Sequence, residues 1–343
     1  MMKQLLLIGL MCVCFSMVFS GCKKQNSETK AKQVVVYTSL DKEYSEPVLK
    51  TFEQKTGIKV LAVYDSEATK TTGLVNRLIA EKDAPKADVF WNSETGRTIV
   101  LKNKGVLVPY VSPSAVDIPA TFKDKDNCWT GFAARCRVLI YNTDKLKSSD
   151  LPKSIFEFTE PKWKGNFSLA YPLFGTTATH AAALFSTLGE EKAKAFYESL
   201  KANDVMITDG NASSRDRVAD GTVAIGFTDT DDAYVAIKQD RPVDLLWPDK
   251  DGMGTLLIPN TVALINNGPN PEAGKQFIDF LLSKETEAML AASDAGQIPL
   301  RADVPRPEYV PSPDEVKAME VDFEDVAKWM EPSAKFLQEL FVR

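Results

Sequence analysis

Hydrophobic and polar positions follow two alternating rhythms along most of the chain. Short β-branched runs at residues 34–39, 58–64 and 88–91 are too brief for helices and read as buried strands. Between them, residues 43–55 set Val48, Leu49 and Phe52 on one side of a helix that stops at Gly57. Ser66 reads as the N-cap of a second helix reaching about residue 82, and Asn92 or Ser93 caps a third that ends at Gly105. This β-α-β-α-β-α order predicts a parallel sheet with helices on both faces. The second half repeats the theme, with strands at 167–171, 205–208 and 223–227, and helices opening at Gly175 and covering 193–200. Residues 129–141 and 254–265 read as long extended segments, and 271–292 as one strongly amphipathic helix. The prediction is therefore an α/β fold of two lobes, each a parallel-dominated sheet flanked by helices, joined by crossover strands. Lobe 1 takes residues 33–134 with 258–300, and lobe 2 takes 135–257. Residues 301–343 form a C-terminal segment with helical signals over 322–341 that can finish either lobe.

The first residues follow a different pattern. Lys3 precedes an apolar run over 5–19, a charged then hydrophobic arrangement that suits a secretory signal better than a membrane span. The run closes on Phe19-Ser20-Gly21-Cys22, which resembles the bacterial lipobox. Residues 1–21 are thus expected to be a lipoprotein signal peptide, with Cys22 as the lipidated first residue of the mature chain. Residues 22–32 follow as a polar tether that reaches roughly 30–35 Å when extended. This places the body outside the cytoplasm, beside a bacterial membrane. Of the remaining cysteines, Cys128 and Cys136 flank one extended run; its ends lie about 26 Å apart, far beyond the ~7 Å that a disulfide spans. Two free, buried thiols are expected.

Composition narrows the function. The 343 residues carry 41 basic and 47 acidic side chains, a net charge of −6 that disfavours a nucleic-acid partner. A single histidine, His180, excludes multi-histidine zinc sites. Neither a GxSxG nor a GxxxxGK[ST] motif occurs, and Gly252-Met253-Gly254 lacks the third glycine of a dinucleotide fingerprint.

The candidate chemistry gathers where strands empty into helices, the place where open α/β sheets bind ligands. Four junctions offer small hydroxyl or amide residues beside helix N-termini: Thr38-Ser39, Ser66, Asn92-Ser93 and Thr176-Thr177. Ordinary N-capping accounts for the same residue types. Gly175-Thr176-Thr177-Ala178-Thr179 is the best anion candidate, because a glycine and successive hydroxyls let backbone and side chains converge. Asp41, Glu94, Asp231 and Asp232 also fall just past strand ends, where they suit a hard cation, an amine or hydroxyls. Arg135, Arg137 and Arg215 can each meet an anion or form a structural ion pair. His180, one turn into an alanine-rich helix, reads as packed, and Trp91, Trp129, Trp163 and Trp247 as core or lobe-interface residues.

Several segments, in order, resemble the periplasmic solute-binding proteins of ABC importers, in the subgroup containing the ferric-iron-binding proteins. They are Val36-Tyr-Thr-Ser-Leu-Asp41, Phe52-Glu-Gln-Lys-Thr-Gly-Ile-Lys-Val60, Ala87-Asp-Val-Phe-Trp-Asn92, Arg135-Cys-Arg-Val-Leu-Ile-Tyr-Asn142, Pro161-Lys-Trp-Lys-Gly165, Gly175-Thr-Thr-Ala-Thr-His180 and Ile258-Pro-Asn-Thr-Val-Ala263. The resemblance spans about residues 33–305. It implies two hinged α/β lobes that close on a ligand and deliver it to a membrane permease, in a monomer without catalysis or cofactor. Ferric-binding members typically use adjacent tyrosines where this chain has Asp231-Asp232, and a histidine or tyrosine where it has Asp41; the acidic position at Glu94 is kept. Relatives in the same group bind sugar phosphates or aminoalkylphosphonates. The resemblance thus implies a phosphorylated or phosphonate solute, with its oxyanion on Thr176-Thr177 and Ser39 and its amine or hydroxyls on Asp231-Asp232. Fe(III), held by Asp41, Glu94, Asp231 and Asp232, is the alternative ligand. A secreted hydrolase or transferase on a similar scaffold is the competing class, although no nucleophile–base pair is visible. A structural surface lipoprotein is a third.

Overall fold

A computed structural model of the chain describes residues 32–65 and 70–342. The leader, Cys22, the tether through residue 31 and Ser66 lie outside the described residues. In the first lobe, β1 (Gln33–Thr38) runs between β2 (Lys59–Tyr64) and β3 (Val89–Asn92), parallel to both. The connecting helices are α1 (Lys42–Thr56) and α2 (Thr72–Ala80), with α3 (Gly96–Asn103) following β3. Gly57 ends α1 in the left-handed region at φ 69°, where its N–H reaches the Glu53 carbonyl. In the second lobe, β6 (Phe167–Ala170) is parallel to β7 (Met206–Thr208) and to β8 (Ile225–Asp229). Helices α4 (Gly175–Leu188), α5 (Glu190–Ala202), α6 (Asn211–Ala219) and α7 (Thr230–Lys238) surround these strands.

Two long strands join the halves, and they make the sheet mixed. β10 (Leu257–Ile265) pairs antiparallel with β3 and with the two-residue β4 (Leu107–Val108). β5 (Thr130–Asn142) pairs antiparallel with β10 over its first half. From Arg137 onward it pairs instead with β8 and with β9 (Val243–Leu246). Parallel pairing is thus confined to β1 with β2 and β3 and to β6 with β7 and β8, and the pairings of the two crossing strands are antiparallel. The β5–β10 register shifts between Pro259 and Asn260, opposite Ala133, whose φ of 40° is unusual for an alanine.

The apolar run 271–292 folds as two helices rather than one, α8 (Pro271–Leu281) and α9 (Lys284–Ala292). Ser283 is extended at the break, and its Oγ accepts from the Thr286 N–H at 3.2 Å, capping α9. The C-terminal helix α10 (Phe323–Leu340) belongs to neither half alone: it packs on α3 of the first and on α4 and α5 of the second. Its Val326, Met330 and Leu337 are buried in the apolar cluster that holds Phe158, Phe167, Phe185 and Phe227. Cys128 and Cys136 are unbonded and buried, while Trp91, Trp129 and Trp163 are buried and Trp247 is half-buried.

Candidate functional site

The strand ends of both halves open into one cleft of about 280 Å³. Asp41, Tyr44, Lys70 and Ser93 line it from the first lobe, Arg135 from β5, and Gly175, Thr176, Thr177, Asn211, Arg215, Asp229, Asp231 and Asp232 from the second. Of the helix starts that border this space, those of α1 and α7 bring acidic residues, whereas α4 at Gly175 and α6 at Asn211 bring small polar ones. Gly175 adopts φ +55°, a left-handed conformation that suits glycine at the sharp entry to α4. The first amides of α4 and α6, those of Thr176, Thr177, Asn211 and Ala212, have no intrahelical partner and carry the positive dipole end.

The side chains at these helix starts are bound into one network. Thr176 donates its hydroxyl to Asp229 Oδ2 at 2.5 Å, and Thr177 donates to Asn211 Oδ1 at 3.1 Å. Asn211 Nδ2 donates in turn to Thr176 Oγ1 and to Asp229 Oδ2, both at 2.9 Å. The hydroxyls therefore hold α4 against α6, and it is the backbone amides of these first turns that are left without partners inside the helices.

Each carboxylate of the cleft floor has a cation. Arg135 pairs with Asp231 at 3.0 Å, Arg137 with Asp229 at 2.6 Å, Lys70 with Asp41 at 2.8 Å and Arg215 with Asp232 at 3.6 Å. Oxygens of Asp229, Asp231 and Asp232 nevertheless lie within 4.8 Å of one another. Burial raises the pKa of Asp231, with Arg135 opposing the shift. Asp232 rises well above the usual carboxylate range through burial and then the nearby Asp231 and Asp229. Burial, the Glu43 hydrogen bond and these aspartates push the Tyr44 phenol far up as well, so it keeps its proton and serves as a hydrogen-bond donor.

Of the residues singled out in the sequence, Asp41, Arg135, Gly175, Thr176, Thr177, Asp231 and Asp232 line the cleft. Ser39 lies just behind it, donating to Asn92 Oδ1 at 2.7 Å and accepting from the Ser93 N–H at 2.8 Å. Thr38, Asn92 and Glu94 are fully buried and do not line it. Thr38 Oγ1 accepts from the Leu40 N–H. Glu94 accepts from Asn92 Nδ2 at 3.0 Å, from the Arg97 N–H at 3.0 Å and from Thr179 Oγ1 at 2.8 Å. The carboxylate set Asp41, Glu94, Asp231 and Asp232 is corrected accordingly. After β3 the chain turns so that Ser93 faces the cleft and Glu94 faces away, and Asp229 takes the third place beside Asp231 and Asp232.

Sequence reasoning missed Tyr44, Lys70, Asn211 and Asp229 as cleft residues. Asp229 was legible as the last residue of a strand, and Tyr44 lies in the first turn of α1. Asn211 opens α6, whose sequence Asn-Ala-Ser-Ser-Arg-Asp-Arg-Val-Ala has too few apolar positions to show a helical period. His180 packs as expected, its ring 5.4 Å from Phe227, with burial and then Arg137 driving its pKa down to about 3.

The molecule is thus a two-lobed mixed sheet with its cleft at the strand ends. Residues 48–319 match the family described as bacterial extracellular solute-binding protein. The chain belongs to this family. As a solute-binding protein it is a binder rather than an enzyme. Iron uptake protein A1 of Synechocystis is 26% identical over 320 residues, covering 90% of this solute-binding protein and 87% of the relative. A Salmonella typhi protein provisionally named 2-aminoethylphosphonate-binding periplasmic protein is 27% identical over 284 residues, covering 81% and 79%. Among solved structures, iron-bound HitA from Pseudomonas aeruginosa superposes with a TM-score of 0.82 at 22% identity, covering 91% of this chain and 100% of that one. AfuA from Actinobacillus pleuropneumoniae with fructose-6-phosphate gives 0.81 at 23% identity, covering 91% and 99%. Both show the shared two-lobed fold. Among the described residues, no helix of the solute-binding protein is long and apolar enough to cross a membrane.

Proposed function

We propose that this protein is the lipid-anchored, extracytoplasmic receptor of an ABC importer, and that it captures a small phosphorylated or phosphonate solute. Cys22 would carry the lipid and residues 23–32 the tether, so that a monomeric body delivers its ligand to a neighbouring permease. The observation that carries the ligand reading is the pair of helix N-termini, α4 and α6, aimed into a cleft whose floor acids already hold Arg135, Arg137, Lys70 and Arg215. Partnerless backbone amides favour an oxyanion. Internally neutralised aspartates leave lone pairs for the amine or hydroxyls at the other end of such a solute. Relatives bearing the names of an aminophosphonate and a sugar phosphate are consistent with that arrangement.

A second reading is Fe(III) as the transported ligand. It is favoured by the close approach of Asp229, Asp231 and Asp232 and by the iron-binding names among the relatives. The presence of Asp231-Asp232 where ferric-binding relatives typically carry adjacent tyrosines weighs against it, because phenolates are what make a site selective for so hard an ion.

Thermal unfolding with 2-aminoethylphosphonate, fructose 6-phosphate and ferric citrate separates the two readings, since a ligand of the native state alone raises stability by about 2.7 kcal/mol at a hundredfold excess over Kd. A rise with either phosphorus compound and none with iron is expected. A rise with ferric citrate alone overturns the anion reading.

A further inference from the structure

Glu94 is fully buried and pointed away from the cleft, so it needs another role. Two of its three partners, Asn92 and Arg97, come from its own turn, whereas Thr179 comes from α4 of the other lobe. Thr179 is also fully buried. Arg97 makes a parallel crossing: its Nη2 donates to the Leu173 carbonyl at 3.0 Å. A third bond runs from the Gly175 N–H to the Lys70 carbonyl at 3.3 Å. The first lobe thus grips residues 173–179 at three points, and between Gly175 and Thr179 lie Thr176 and Thr177, which line the cleft. Hydrogen bonds to a buried carboxylate are strong and directional, and one left unmade is costly. Opening the lobes would break all three bonds together and release the start of α4.

We propose that Glu94, Arg97 and Thr179 form an inter-lobe clasp that couples closure to the positioning of the ligand-binding start of α4. They are positioning residues that act through Thr176 and Thr177; the binding half of the idea rests on the anion reading above, and the closure half does not. The clasp makes the closed state the one in which the amides are already aimed, so that ligand binding and lobe closure draw on the same contacts.

The test uses Thr179→Val, which removes the hydroxyl at nearly constant volume, and Thr179→Ser, which keeps it. Small-angle scattering reports the radius of gyration, calorimetric titration with inorganic phosphate reports affinity, and circular dichroism confirms folding. Thr179→Val is expected to enlarge the ligand-free protein and to weaken phosphate binding roughly tenfold, with Thr179→Ser restoring both. Arg97→Gln, which leaves Glu94 and α4 unchanged, should shift the same two quantities and serves if the valine variant does not fold. A folded variant that unfolds at lower temperature but keeps the wild-type radius overturns the clasp. Should the wild type not bind phosphate, the anion reading fails by itself, and the radius of gyration alone decides the clasp.

Discussion

The imidazole of His180 lies inside the second lobe against Phe227, with the Arg137 guanidinium nearby. Its pKa of about 3 in the folded protein lies far below the ~6.5 of an unfolded chain. The folded protein therefore binds fewer protons than the unfolded chain across that interval. The associated stability is fully present above about pH 6.5 and is lost as the pH falls toward 3. Urea unfolding at pH 7 and pH 4.5 should show that His180→Leu loses less stability between the two than the wild type does; equal losses would move the acid sensitivity elsewhere. Asp232 behaves oppositely. Its raised pKa means that ionisation costs stability as the pH climbs from the ordinary carboxylate range through the raised value. Asp232→Asn is thus expected to raise the unfolding midpoint at pH 7 and to diminish the thermal shift produced by the ligand. An unchanged ligand shift would remove Asp232 from the binding surface. The sequence announced this aspartate pair by its adjacency. Its burial and the cations that hold it come from β5, α6 and the segment at Lys70, and could not be seen in it.

At the level of elements, the cleft depends on how closely α6 approaches the sheet. Gly226 of β8 makes this possible: a Cβ there would collide with Ser168 Oγ and fall 2.9 Å from Ser214 Oγ and 3.0 Å from Val218 Cγ2. Ser168 and Ser214 already share a buried hydrogen bond of 2.8 Å, so neither has room to retreat. Gly226→Ala should destabilise the protein by about 1–3 kcal/mol through overpacking. By displacing α6 it should also reduce ligand binding, although residue 226 does not touch the cleft. Chemical denaturation alongside a binding titration checks both, and a variant of wild-type stability would show that α6 yields more easily than its contacts indicate. Strong period-2 and period-3.6 segments such as β1, β5 and α1 were legible within a residue or two. The polar helix α6 and the break at Ser283 were not. In α6, packing against β6 and β8 supplies what its own sequence lacks, and at Ser283 a cap outweighs a continuous apolar face.

For the whole molecule, the decisive elements are those that cross between lobes. β5 carries Arg135 and Arg137 at the point where its pairing passes from β10 to β8, so the two arginines stand where the strand crosses between the lobes, and Arg135 lines the cleft as well. α10 spans the other side, on α3 and α4. Ending the chain at residue 321 would remove Val326, Met330 and Leu337 and uncover the α4 and α5 surfaces on which they pack. Such a chain is expected to bind a hydrophobic dye and to lose its single cooperative transition; a sharp transition at the wild-type temperature would show α10 to be dispensable. By itself the sequence determined the alternation of elements, the two-lobed class and the strand-to-helix junctions that border the cleft. Those follow from local periodicity, capping residues and ordered motifs, which neighbouring residues encode. Only the tertiary structure decided that Glu94 turns from the cleft, that Asp229 joins the aspartate pair and that α10 binds both lobes. Each of these depends on which side chains distant in sequence come within hydrogen-bonding or van der Waals reach, and no local pattern carries that information.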